Sequence, residues 1–270
     1  MTVAQPATPA IGTPNERGIG PALRHGEIVA ARNLVVLTRN PAAIGSTFVF
    51  PVIFFFGFYA VLRRTLESQG LDYAQYLPPI VVVQAMFFTA IGSAFALADD
   101  RFRGLLERCR SLPISPWAPL VGRIGADLVR ALVAMVVVLA AGTAVGFRFD
   151  AGVVAALGFV AVVLLFTTMA VAGCSVVGLG AASPEAASQS LFLPYLPLLM
   201  LSSGFVPVEG FPGWLQPFVR WQPVSLTVEA LRALASGGPT ATPLLRAVIV
   251  LVALTLVFGA LGARAYRKAV

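Results

Sequence analysis

Few residues in this 270-residue chain could do chemistry, and their spacing excludes more than it allows. The single lysine, Lys268, lies between Arg267 and Ala269, so the Gly-Lys-Ser/Thr core of a phosphate-cradling loop cannot be built. The single histidine, His25, rules out paired-histidine zinc motifs and reads as a solvated or interfacial residue. No Gly-x-Ser-x-Gly elbow and no acidic pair placed for acid–base work can be found, so no catalytic residue, no metal and no bound cofactor are expected. Cys109 and Cys174 fall in a charged loop and an apolar run and cannot pair; Cys174 reads as a small packing residue beside Gly173 and Gly178. What remains is a run of arginines, Arg101, Arg103, Arg108 and Arg110, with Glu107 among them. Beyond it lies one pair, Asp127 and Arg130, three apart and therefore on one helical face.

The elements that must carry these residues follow from the composition. Hydrophobic residues make up 58% and charged residues 11% of the chain, with a mean hydropathy of +0.86, whereas about a quarter of a soluble domain is charged. This is a membrane protein, all-α, because only segments that satisfy their own backbone can cross hydrocarbon. Crossing about 30 Å takes about twenty apolar residues, and six runs qualify: 44–62, 79–98, 126–147, 153–182, 191–208 and 244–263. Residues 1–20 read as a disordered tail, 21–43 as an amphipathic connecting helix and 44–270 as the transmembrane body. Six crossings put both termini on one side. Twelve of the nineteen lysines and arginines fall on that side, six on the other and Arg130 inside a span, so the termini are expected in the cytoplasm. The net charge of +7 then reports orientation and anionic headgroups; a nucleic-acid reading would need a basic face on a soluble domain.

Local patterns refine the map. The first span is unusually aromatic, which fits either lipid-facing bulk or an apolar substrate path. Asp127 and Arg130 read as a self-neutralised pair at the inner interface. Span four is long and glycine-bearing, suited to close helix contacts. Between spans five and six lie Trp214 and Trp221, at headgroup spacing on short re-entrant or interfacial helices. There Val224, Val228, Leu231 and Ala235 form a helical stripe, Ser225 is placed to cap its start, and Gly237-Gly238 to end it. On a helix from Arg101 to Leu112, Phe102, Leu105, Leu106, Cys109 and Leu112 share one face and the charges take the other, with Pro113 and Pro116 as the stop. Such a loop could simply orient the spans or dock a soluble motor. Spans one, two, four and five hold no ionisable group of the kind that binds a coupling ion, so energy for uphill movement must enter from a partner.

Three stretches carry a family resemblance: "LTRNP" at 37–41, "RFRGLLERCRSLPISPWAPLVGR" at 101–123, and "SSGFVPVEGFPGWLQPFVRWQPVSLTVEALRALASGGP" at 202–239. Together the sequence resembles the permease subunit of an ABC-2 type exporter, in the daunorubicin-resistance branch that exports drugs or lipids. The resemblance implies six transmembrane helices, an N-terminal connecting helix, a cytoplasmic coupling helix between spans two and three, and outer re-entrant helices between five and six. It implies two permeases, alike or different, paired with two ATP-binding subunits that hold the ATP and magnesium, in a bacterial-type plasma membrane. On the coupling helix, Arg101, Arg103, Leu105, Leu106, Glu107, Arg108 and Arg110 would meet the motor, although Arg103-Gly104-Leu105-Leu106 stands where many relatives carry Glu-x-Gly-Thr-Leu. Phe54, Phe58, Phe87, Phe88 and Phe205 would line the apolar path, and Pro212, Trp214, Pro217, Pro223, Arg232 and Gly237 form the outer signature. The competing readings are an ion-gradient-driven carrier and a membrane assembly scaffold.

Overall fold

The computed structural model describes residues 45–68, 70–104 and 118–269. The expected tail and connecting helix, and the coupling segment from Leu105 onward, lie outside them. Every regular element described is helical. After a π-helical turn, Gly45–Val49, come α1 (Phe50–Glu67), α2 (Tyr73–Tyr76), α3 (Pro78–Phe102), α4 (Ala118–Ala144) and α5 (Gly152–Gly180). There follow α6 (Pro184–Met200), α7 (Gln216–Trp221), α8 (Pro223–Ser236) and α9 (Ala241–Ala269).

Helix starts and stops are written locally. Pro51, Pro78, Pro184, Pro217 and Pro223 occupy first-turn positions, where a missing N–H costs nothing. Asp72 caps α2 by accepting from Ala74 N at 3.1 Å and Gln75 N at 3.3 Å, and Ser183 caps α6 by accepting from Ala186 N at 3.1 Å. Gly237, at φ +72°, ends α8 as expected.

Among the described residues, four helices are long and apolar enough to cross a membrane: Tyr73–Phe102, Arg123–Ala144, Gly152–Gly180 and Ala241–Ala265. Spans two, three, four and six of the sequence reading correspond to them. The first expected span, 44–62, falls on the π-helical turn and α1, which runs on past it through Arg63, Arg64 and Glu67. The fifth is displaced. It was expected at 191–208, yet α6 begins at Pro184 under the Ser183 cap and ends at Met200. The apolar run continues past that point, but residues 201–206 leave the helix because polar partners capture their backbone.

The expected helix from Arg101 to Leu112 also needs correction. Arg101 and Phe102 complete α3, and Gly104, at φ +68°, turns the chain out of it, with Gly104 N donating to Arg101 O at 3.0 Å. Any helix beyond begins after that break. Ser225 is not the cap of α8: it sits inside the helix and accepts from Ser203 N at 3.0 Å.

The arrangement centres on α3, which packs against α1, α4, α5, α6 and α8. Its apolar window is 72% buried, against 11% for α9. Lipid tails are as apolar as leucine, so such helices associate through close packing rather than the hydrophobic effect. Glycines supply the close approach. A Cβ on Gly178 would stand 2.7 Å from the Ala94 carbonyl oxygen, where α5 crosses α3, whereas one on Gly57 would meet nothing within 4 Å. Gly178→Val is therefore expected to destabilise the bundle by about 1–3 kcal/mol, the range for overpacking, and Gly57→Ala to leave it unchanged. Thermal melting in detergent checks both; equal melting of the two variants would mean the helices do not touch there.

Candidate functional site

Two polar assemblies close the ends of α3, and an aromatic series runs between them. At the end bearing Asp100, α4 brings Arg123 against α3: its Nη2 pairs with the Asp100 carboxylate, and its Nη1 donates to Ser93 O at 2.8 Å. Ser93 in turn donates its hydroxyl to Asp127, whose other oxygen lies 3.6 Å from Arg130 Nη1. Ser93, Arg123, Asp127 and Arg130 are all buried. The Asp127–Arg130 pair anticipated from spacing is thus present, but as part of a larger network that also spans α3. Burying charges is tolerable only when each has partners, and this network supplies them.

Arg101 ties in a third helix. Its Nη1 donates to Leu179 O at 2.5 Å and reaches Ala181 O at 3.4 Å, at the C-terminal end of α5. A cation there meets the negative end of the helix dipole and otherwise orphaned carbonyls. Arg103 stands exposed, with an i,i+4 bond to Asp99 at 2.9 Å, a solvent-screened contact that adds little. Of the seven expected coupling residues, Arg101 and Arg103 are therefore placed; Leu105, Leu106, Glu107, Arg108 and Arg110 lie outside the described residues.

At the opposite end Arg232 of α8 holds the chain that follows α6. Its Nε donates to Tyr76 O at 3.1 Å, Nη1 to Ser203 O at 2.7 Å and Nη2 to Gly204 O at 2.5 Å. The guanidinium lies 3.3 Å from the centroid of the Tyr76 ring, a cation–π contact, and the Tyr76 hydroxyl donates to Ser203 O at 2.7 Å. Gln222 donates to Leu201 O, and Ser203 Oγ reaches Glu229 Oε1 at 3.3 Å. These bonds satisfy the carbonyls released where α6 ends. Burial draws the Arg232 guanidinium down to about 10, which leaves it charged at neutral pH, and burial likewise raises the Glu229 carboxyl. The signature residues around Arg232 have plain local roles. Pro212 O accepts from Leu215 N at 2.8 Å, Pro217 and Pro223 open α7 and α8, and Trp214 and Trp221 stand 81% and 66% exposed.

The five phenylalanines picked for a path are brought together. Phe54, Phe58 and Phe205 form one cluster, with centroids 4.4, 4.5 and 5.8 Å apart. Phe50 links Phe54, at 5.9 Å, to Phe88, at 5.0 Å, and Tyr195 bridges Phe88, at 5.5 Å, to Phe87, at 5.4 Å. Phe50 and Tyr195 were missed, as were Ser93 and Asp100. No sequence signal distinguishes these residues from ordinary packing or from a helix end; only the crossing of α3 with its neighbours selects them.

An apolar helical bundle with its charges drawn to the ends defines an integral membrane protein. The chain belongs to the ABC-2 type transporter family, which matches residues 26–235, and it is a permease subunit of an ABC transporter. It is 32% identical to the doxorubicin resistance ABC transporter permease protein DrrB of Mycobacterium tuberculosis, over 82% of this chain and 81% of that one. The probable doxorubicin resistance permease DrrC of the same organism is 29% identical, over 88% and 86%. The daunorubicin resistance permease DrrB1 of Streptomyces coeruleorubidus is 28% identical, over 88% and 84%.

The Arg232 geometry has a measurable consequence. A lysine has one nitrogen and cannot serve three divergent carbonyls, so Arg232→Lys strands at least one buried acceptor, at about 1–3 kcal/mol. A fall in the melting midpoint is expected, with the segment between α6 and α8 opening to proteolysis first; an unchanged midpoint would show that the clamp is not needed.

Proposed function

We propose that the chain exports amphipathic small molecules, drug-like or lipidic, from the cytoplasm or inner leaflet, as one of two permeases driven by two separate ATP-binding subunits. Family membership carries this reading, joined to the likeness to three relatives, resistance permeases that align over more than four-fifths of both chains. ATP and magnesium are assigned to the partner, because the only lysine, Lys268, cannot supply a phosphate loop.

In this reading α1 and α6 cross the bilayer beside α3, α4, α5 and α9, giving six spans. The end with Asp100 and Arg123 faces the cytoplasm, as the arginine asymmetry requires, and α7 and α8 lie at the outer side as re-entrant or interfacial helices. The segment from Leu105 to Leu112 is the coupling helix, with Leu105 and Leu106 seated in the motor and Glu107, Arg108 and Arg110 at the rim. Force applied there enters α3 directly through Phe102 and Gly104. The Asp100–Arg123 bridge and the grip of Arg101 on the end of α5 support a joint movement of spans two, three and four. The aromatic series from Phe58 to Phe87 offers cargo an apolar, ring-lined route.

Two measurements test this. Mild-detergent purification is expected to bring down an ATPase with a phosphate loop, and reconstituted vesicles are expected to accumulate cargo only with ATP. Uphill accumulation by this chain alone would instead support the ion-driven carrier. Replacing Leu105 and Leu106 by aspartate is expected to leave insertion and ATP hydrolysis intact while transport falls at least tenfold; normal transport would remove this segment from the coupling role.

A further inference from the structure

A charged side chain on a membrane helix must either find a partner in the protein or reach water or a lipid headgroup. Arg123, paired with Asp100, Arg101, bonded to the end of α5, and Arg232, serving three carbonyls, meet the first condition. Arg220 of α7 and Arg246 of α9 do not. Arg220 stands 3.7 Å from Glu209, beyond hydrogen-bond length, and Arg246 lies over the face of Trp221, 5.8 Å from its centroid. Neither guanidinium makes a hydrogen bond among the described residues, and both are exposed. Glu229 is within electrostatic reach of both, but it is half-buried and already accepts from Ser203. Two planar forks of N–H donors are left facing outward, a geometry that suits phosphate oxygens.

The surface continues from these cations along α9. Leu245, Ile249, Val252 and Leu256 recur at intervals of four, three and four residues, so they form one stripe, and all are exposed. The stripe is about 16 Å long, close to half of a hydrocarbon core about 30 Å thick. That is the reach of one acyl chain. We propose that α7 and α9 form a binding site for an anionic phospholipid, its phosphate held by Arg220 and Arg246 beside Trp221 and one acyl chain laid along Leu245 to Leu256. Two cations favour a headgroup of net negative charge, because a zwitterionic head would bring its own cation against the second arginine. A second permease covering the stripe would leave both guanidiniums without a counter-charge. The bound lipid is a structural ligand and not cargo; the site needs α9 to cross a bilayer and is independent of the transport reading.

The test follows thermal melting of the full chain in mild detergent, washed free of lipid and then supplied with dioleoylphosphatidylglycerol, dioleoylphosphatidylcholine or inorganic phosphate. The anionic lipid is expected to raise the midpoint about 2–4 °C more than the zwitterionic one, and phosphate without acyl chains to leave it unchanged. The double variant Arg220→Gln, Arg246→Gln should lose the difference between the lipids while its midpoint without lipid stays native, since neither side chain bonds to the protein. If the double variant is not recovered folded, each single variant carries the same test and is expected to show a reduced difference. Equal stabilisation of the native protein by the two lipids, a difference that persists in the variants, or the same shift from phosphate alone would overturn the proposal. So would a disulfide between two copies of an Ile249→Cys variant, which would place a second permease on this face.

Discussion

A bilayer offers no hydrogen bonds, so every polar group carried into it must find its partner in the protein. That constraint fixes both ends of α3. At one end the charges of Asp100, Arg123, Asp127 and Arg130 meet across the contact between α3 and α4, with Ser93 bonded to Asp127 and to Arg123. At the other, the end of α6 releases carbonyls that Arg232 and Gln222 recover. Between these polar ends, α3 is enclosed almost entirely by apolar side chains and aromatic rings.

The central place of α3 has a mechanical side. It contacts α1, α2, α4, α5, α6 and α8, it crosses α5 closely enough that Gly178 leaves no room for a side chain, and its last turn holds the end of α5 through Arg101. Well-packed elements move as units rather than deforming continuously. A displacement applied just beyond Gly104 is therefore shared by α3, α4 and α5, while α9, only 11% buried in its apolar window, is far less constrained by the rest of the chain.

The sequence alone determined that this is a helical membrane protein, that it lacks a phosphate loop, and that four of its long spans and its proline-rich segment lie close to where they are found. Twenty-residue apolar runs, first-turn prolines and Gly237 are local signals, readable without knowledge of neighbours. It misjudged α6, because an apolar run shows where a helix could continue and not where Arg232, Gln222 and Ser225 capture its backbone. It carried Arg101 into the wrong helix, because a left-handed glycine at 104 breaks an otherwise even periodicity. It saw Asp127 and Arg130 as a self-contained pair, and could not see Ser93 and Asp100, because those partners come from a different helix.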